Sequence, residues 1–315
     1  MNPHLQHELL VADGHRVPVS AWVPQNPGAP SAILQVLHGL GEHSGRYDRF
    51  AKQCCERGLV LIAHDHRGHG SACAPSMLGY FADRGGWDKI VTDALEVQGF
   101  AAQQWPGKPL ALFGHSMGSF IAQSVAARER GKVSALVLSA STFGARVRLR
   151  LGRALTRLVI LRSGGRAKSA LLNRLGLGDL NRRFAPNRTA FDWLSRDEAE
   201  VDRYVADPLC GFAPSNRLWN DLLGGMIEVG SLRALRRIPE NLPVLVTGGQ
   251  SDPLGGRRGQ ERLARAFRST GHAHVDLRLY PGGRHEMLNE INRDEFSHDV
   301  LDWIESSVPV KAQAI

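Results

Sequence analysis

The 315-residue chain is 43% apolar and 22% charged, a globular composition whose length suits one large domain or a core with an insertion. No apolar run reaches the ~18 residues of a membrane span. The start, MNPHLQHELLVADG, has no basic stretch leading into an apolar one, so neither a spanning helix nor a secretory leader is expected. Four cysteines, 54, 55, 73 and 210, lack C-x-x-C spacing and read as free thiols of a reducing compartment, which makes cytoplasmic the expected location.

The formal charge of +8 is unevenly spread. Residues 146–188 hold eleven Arg and one Lys against the single acid Asp179, while the rest of the chain carries slightly more acids than bases. Such a block suits a phosphate-bearing surface, or else forms a solvated helical face.

In chain order, 7–12 and 16–23 flank the turn Asp13-Gly14 and predict a hairpin. The runs 32–39, 59–65, 109–116, 135–141, 244–249 and 275–282 predict strands, apolar on both sides of the pleat and therefore buried and parallel. Helical patterns occupy 47–57, 87–105, 116–130, 257–270 and 289–306. This alternation predicts an α/β fold with right-handed crossovers. Between Thr142 and about Asn241 no strand is evident, and a hundred residues is too long for a bare loop. Residues 142–230 are therefore expected to form a mostly helical insertion between core segments 1–141 and 231–315. It includes an amphipathic stretch at 191–207 and would lie above the carboxyl edge of the sheet, where open α/β sheets bind ligands.

The sequence FGHSMGSF sets Ser116 between Gly114 and Gly118, after the apolar run PLALF and before a helical one. That is the strand–turn–helix context of a nucleophile elbow; the alternative is a Gly-rich connection without chemistry. A serine hydroxyl needs a base, and the base an orienting acid, in the chain order Ser, Asp or Glu, His. Asp252 follows the strand 244–249, and His285 lies between the last strand and the last helix. Of the thirteen histidines, His272 and His274 fall at the wrong end of that strand, His298 on the last helix, and His64, His66 and His69 too early. Developing oxyanion charge needs donors worth ~3–4 kcal/mol each. The N–H of Met117, after the nucleophile, and that of Leu40, after His38-Gly39, are the candidates.

HGLGEHSGRY (38–47), DHRGHGSA (65–72), GHSMGS (114–119), SDPL (251–254) and GGRHEMLNE (282–290) resemble the monoacylglycerol lipase and lysophospholipase-like α/β-hydrolases, also described as serine aminopeptidase-like hydrolases. The resemblance covers nearly the whole chain and is strongest outside the insertion. It implies an α/β-hydrolase fold with a mostly parallel eight-stranded sheet and a helical cap over an acyl tunnel. The implied site is a Ser116–His285–Asp252 triad with a Leu40 and Met117 oxyanion hole. The implied reaction is hydrolysis of single-chain lipid esters through an acyl-enzyme, without metal or organic cofactor. Glu42 and Arg46 are implied to shape the alcohol end of the site; a structural ion pair is the other reading. Leu288 stands where some members carry a polar His, and Arg67 is expected to brace its own loop.

The helix pattern 151–162 mixes Leu, Val and Ile with Arg153, Arg157 and Arg162, which suits an anionic lipid surface; alternatively its arginines reach into water from a packed helix. A small lipid ester is the expected partner, with peripheral membrane contact and no nucleic acid. A short- or medium-chain carboxylesterase or aminopeptidase of the same fold, and a non-catalytic binding module using the basic segment, remain as alternatives.

Overall fold

The structure, a computed structural model, describes residues 4–25, 30–128 and 132–308. Eight strands form one sheet: β1 His4–Leu10, β2 Arg16–Trp22, β3 Ala32–Leu37, β4 Leu59–His64, β5 Leu110–His115, β6 Ala135–Ser139, β7 Val244–Gly249 and β8 Val275–Tyr280, in the order β1-β2-β4-β3-β5-β6-β7-β8. β2 pairs antiparallel with β1 and β4, and every other pairing is parallel. The described helices are α1 Asp48–Glu56, α2 Gly86–Gln104, α3 Met117–Arg128, α4 Arg146–Ser163, α5 Ala170–Asn173, α6 Glu198–Ala206, α7 Asn216–Val229, α8 Leu232–Leu235, α9 Gly256–Ser269 and α10 Arg293–Ser307. The last two residues of the helix expected over 116–130 lie outside the described residues. None of these helices is long and apolar enough to cross a membrane, and the four cysteines are free thiols.

The two-residue period of a strand divides the core into two layers. Ile33, Leu112, Leu136, Leu138, Val244 and Val246 face one side with α2, α3 and α9. Leu34, Val36, Phe113, Val137 and Leu245 face the other, against Phe50 of α1 and Phe296, Val300 and Ile304 of α10. Each such aliphatic or aromatic side chain contributes ~1.5–3 kcal/mol by leaving water. This two-sided burial explains the continuous apolar runs of the central strands.

β8 departs from the reading as a fully buried strand. It pairs only with β7, and its interior residues 276–279 are exposed or half-buried. Its charged residues have partners on α10: Asp276 accepts from Trp303 Nε1 at 2.7 Å, and Arg278 pairs with Asp299 at 3.4 Å. The alternation in VDLRLY belongs to an edge strand.

Among the described residues, the chain between β6 and β7 forms helices α4 to α8 and no strand. The stretch 191–207 is helical only from Glu198. Asp197 caps that helix by accepting from Ala199 N at 3.0 Å and Glu200 N at 3.3 Å. Upstream, the Asp192 carboxylate accepts from the backbone of Arg188 and Thr189 and holds the chain in a turn. Arg67 braces its loop as expected, forking onto Asp93 and Asp13 at 2.7–2.8 Å.

At the base of the 38–43 loop four imidazoles pack against one another at tilted or edge-on angles. His38 lies 4.2 Å from His66 and 5.1 Å from His69, and His64 lies 4.8 Å from His66. All four are buried. Burial holds them in the neutral form, with His64 and His69 pushed down to about 3 and His38 and His66 also lowered. An unfolded chain takes up these protons near pH 6.5. Stability is therefore fully present above that pH and falls as pH drops below it, by up to about 1.4 kcal/mol per histidine per pH unit. The thermal midpoint is expected to fall steeply between pH 7 and pH 5, and less steeply in His64→Leu. A midpoint that stays flat over that window would refute this account.

Candidate active site

β5 ends at His115 and α3 begins at Met117, so Ser116 occupies the turn between them with φ +50°. A non-glycine residue there is strained and must be held in place. Its N–H donates to Ser139 O at 2.9 Å, and its carbonyl accepts from Ser119 Oγ at 2.6 Å and Ser119 N at 3.0 Å. The flanking glycines permit the close approach. A Cβ on Gly118 would lie 1.9 Å from Leu37 O, and one on Gly114 would lie 2.4 Å from Gly118 O. Ser116 is half-buried, and its hydroxyl makes no hydrogen bond among the described residues. Such contacts are often long in a free enzyme and tighten with substrate.

His285 and Asp252 meet. Nδ1 of the imidazole lies 3.0 Å from Asp252 Oδ1, which also accepts from Leu254 N at 2.9 Å. Both side chains are buried. Burial works to lower the His285 pKa, but the charge and hydrogen bond of Asp252 outweigh it, helped by Glu286 and Glu42, and the value is raised. The His285 ring stands 4.9 Å from that of His115, the neighbour of Ser116, and 5.0 Å from Trp193.

The loop after β3 abuts the elbow: a Cβ on Gly39 would lie 3.4 Å from Ser116 Cβ. Its polar groups are tied on both sides of Leu40. Gly39 N donates to Glu42 Oε1 at 2.5 Å, and Gly41 O accepts from Tyr204 OH at 2.8 Å and Gly211 N at 2.9 Å. Neither the Leu40 nor the Met117 N–H donates to a protein acceptor among the described residues. Met117 is the first residue of α3, where such a free donor is normal.

Glu42 and Arg46, expected at the alcohol end, form an ion pair at 3.0 Å, with Glu42 buried and Arg46 half-buried. Arg46 also grips Glu286 with both Nη atoms, each at 2.7 Å. Burial would raise the Glu286 pKa, yet the Arg46 charge and hydrogen bonds hold it down to about 2.

The 191–211 segment roofs the site. Glu286 N donates to Leu194 O at 2.8 Å, Ser195 Oγ to Asn289 O at 2.7 Å, and Arg196 Nε to Glu290 Oε2 at 2.8 Å. Arg284 Nη1 reaches Ser195 O at 3.0 Å. Sequence reasoning missed Glu286, Trp193 and Tyr204. Glu286 had a signal, an acid beside the expected base; the other two come from over 80 residues away and carry no local pattern. His43, Asp207 and Cys210 also converge, with ligand atoms within 4.8 Å of one another. However, His43 Nδ1 accepts from Gly45 N at 3.2 Å, so Nε2 carries the proton and donates to Asp207 Oδ2 at 2.8 Å. That donor set serves a bridge between segments better than a cation.

A strained serine after a central parallel strand, with a His–Asp pair from the loops after the last two strands, defines an α/β-hydrolase. Residues 28–292 match the sequence profile of the family described as serine aminopeptidase, S33, and the chain belongs to that family. It is a serine ester hydrolase. It is 29% identical to a monoacylglycerol lipase of Mycolicibacterium smegmatis, over 96% of this chain and 97% of that one. It is 30% identical to the human monoglyceride lipase, over 94% of this chain and 89% of that one. Among solved structures, a thermostable carboxyl esterase from Bacillus coagulans in complex with glycerol superposes with a TM-score of 0.89 at 27% identity, covering 97% of this chain and 99% of that one.

Proposed function

We propose that the protein hydrolyses long-chain monoacyl esters, monoacylglycerol or lysophospholipid, through an acyl-enzyme on Ser116. The observation that carries the mechanism is the buried His285–Asp252 pair beside the elbow. Ser116 Oγ attacks the ester carbonyl and passes its proton to Nε2 of His285. Asp252 holds Nδ1–H and stabilises the imidazolium. The N–H groups of Leu40 and Met117 receive the oxyanion. His285 then protonates the leaving alcohol, and a water activated by the same imidazole releases the fatty acid. The substrate class rests on the two lipase relatives. The carboxyl esterase likeness supports a second reading, a shorter acyl chain.

Residues 142–230 act as a cap in this reading, and α4 is its outer face. Only Thr156 of that helix is buried, while Val147, Leu151, Leu158 and Leu161 are 71%, 68%, 64% and 84% exposed. They follow helical spacing among six arginines. An exposed apolar stripe flanked by cations fits an anionic lipid surface. One experiment tests both parts. Nitrophenyl esters from C2 to C16 are assayed beside monoacylglycerol and lysophospholipid presented in anionic or zwitterionic vesicles. Preference for long monoacyl chains, with rates raised by anionic lipid and lowered by salt, is the expected result. Preference for C2–C4 esters would favour the carboxylesterase reading, and indifference to lipid charge would sink the membrane role.

A further inference from the structure

Glu286 follows His285 directly, and its buried carboxylate takes the Nη1–H and Nη2–H of Arg46 in a fork. Nη1 of the same guanidinium also donates to Glu42 Oε2 at 3.0 Å. The other oxygen of Glu42 accepts the Gly39 N–H at 2.5 Å and the Tyr47 hydroxyl at 3.1 Å. Gly39 in turn precedes Leu40. An unbroken chain of contacts therefore runs from the oxyanion loop through Gly39, Glu42, Arg46 and Glu286 to His285. Tyr204 closes it from above, its ring 4.8 Å from the Arg46 guanidinium and its hydroxyl on Gly41 O at 2.8 Å.

We infer that Arg46 and Glu286 are positioning residues that lock the oxyanion loop to the loop carrying His285, so that the donors and the base keep one mutual geometry. This rests on the triad reading above. Three N–H bonds of Arg46 point at carboxylates and one face lies under Tyr204, an arrangement made for holding protein groups rather than a substrate alcohol. A largely buried cluster of two carboxylates and one guanidinium adds little net stability, because desolvation offsets the attraction. What a bidentate fork supplies is direction. The cluster also keeps a net negative charge near His285, on the side that favours the imidazolium.

The test compares Glu286→Gln, which removes the charge at constant size, with Arg46→Lys, which keeps the charge and loses the fork. Both are assayed on nitrophenyl butyrate, which has no glycerol, and on a monoacylglycerol. Each variant is expected to lose about tenfold or more in kcat on both substrates, with KM within about twofold. Glu286→Gln should also move the acid limb of kcat/KM to lower pH, since the imidazolium loses a neighbouring anion. A loss confined to monoacylglycerol, or confined to KM, would make Arg46 an alcohol contact and overturn the inference. So would wild-type kcat with an unmoved acid limb. If Glu286→Gln does not fold, Glu286→Asp with its shorter arm takes its place, and wild-type kcat there overturns the inference. Turnover surviving in Ser116→Ala would sink the triad reading itself. Near-normal Glu286→Gln beside an inactive Ser116→Ala sinks only the positioning role.

Discussion

Ser116→Ala is expected to abolish ester hydrolysis, a fall of about 10⁴-fold or more in kcat, while leaving the fold intact. Among the described residues the hydroxyl makes no hydrogen bond and Ser116 is half-buried, so its removal is expected to cost little stability. A fluorophosphonate should label the native protein and not the variant. Retained labelling, or turnover within tenfold of wild type, would remove Ser116 from the mechanism. The elbow adds a second readout. Because Ser116 sits at φ +50°, Ser116→Gly relieves a conformation that alanine still suffers. The Gly variant is therefore expected to be more stable than the Ala variant by about 1 kcal/mol, reduced by the extra backbone freedom glycine has when unfolded. An Ala variant that melts at or above the Gly variant would show that the turn is not strained.

Gly118→Ala is expected to be far more damaging than any change of its size on the surface. The new methyl would fall 1.9 Å from Leu37 O and 2.5 Å from Leu37 C. These are backbone atoms at the end of a central strand, with no rotamer to move aside. Relief requires α3 to lift off β3, and the two N–H groups proposed as oxyanion donors sit on α3 and in the loop after β3. We expect a loss of about 3 kcal/mol or more in stability, read by urea unfolding. Under the proposed mechanism any folded fraction should hydrolyse slowly, because the Met117 and Leu40 N–H groups assigned there to the oxyanion would be displaced. Native stability with native rates would show that the helix yields more readily than its packing implies.

Much of this was legible beforehand, for reasons tied to particular residues. The central strands announce themselves because both faces of β3 to β7 are buried, so each is a continuous aliphatic run. Chain order alone singles out Ser116, Asp252 and His285, since each follows a strand at the same sheet edge, and the structure brings the last two into contact. β8 differs from a buried strand because Asp276 and Arg278 alternate with its apolar residues, the mark of an edge. The stretch 191–207 has a helical charge pattern throughout, but the Asp192 and Asp197 carboxylates stop the helix from starting before Glu198. The grip of Arg46 on Glu286 spans 240 positions and has no local signature. From the sequence alone Arg46 pairs only with its near neighbour Glu42.

The hydrogen bonds between 194–196 and 286–290 carry one more consequence. Leu194 O holds the Glu286 amide, and Glu290 Oε1 holds the Arg196 amide at 3.2 Å, so opening one segment exposes an amide of the other. The stiffness of the His285 loop is therefore a property of a segment about ninety residues upstream. The two form one cooperative unit of local unfolding, and whatever loosens the roof over Trp193 also loosens the imidazole beneath it.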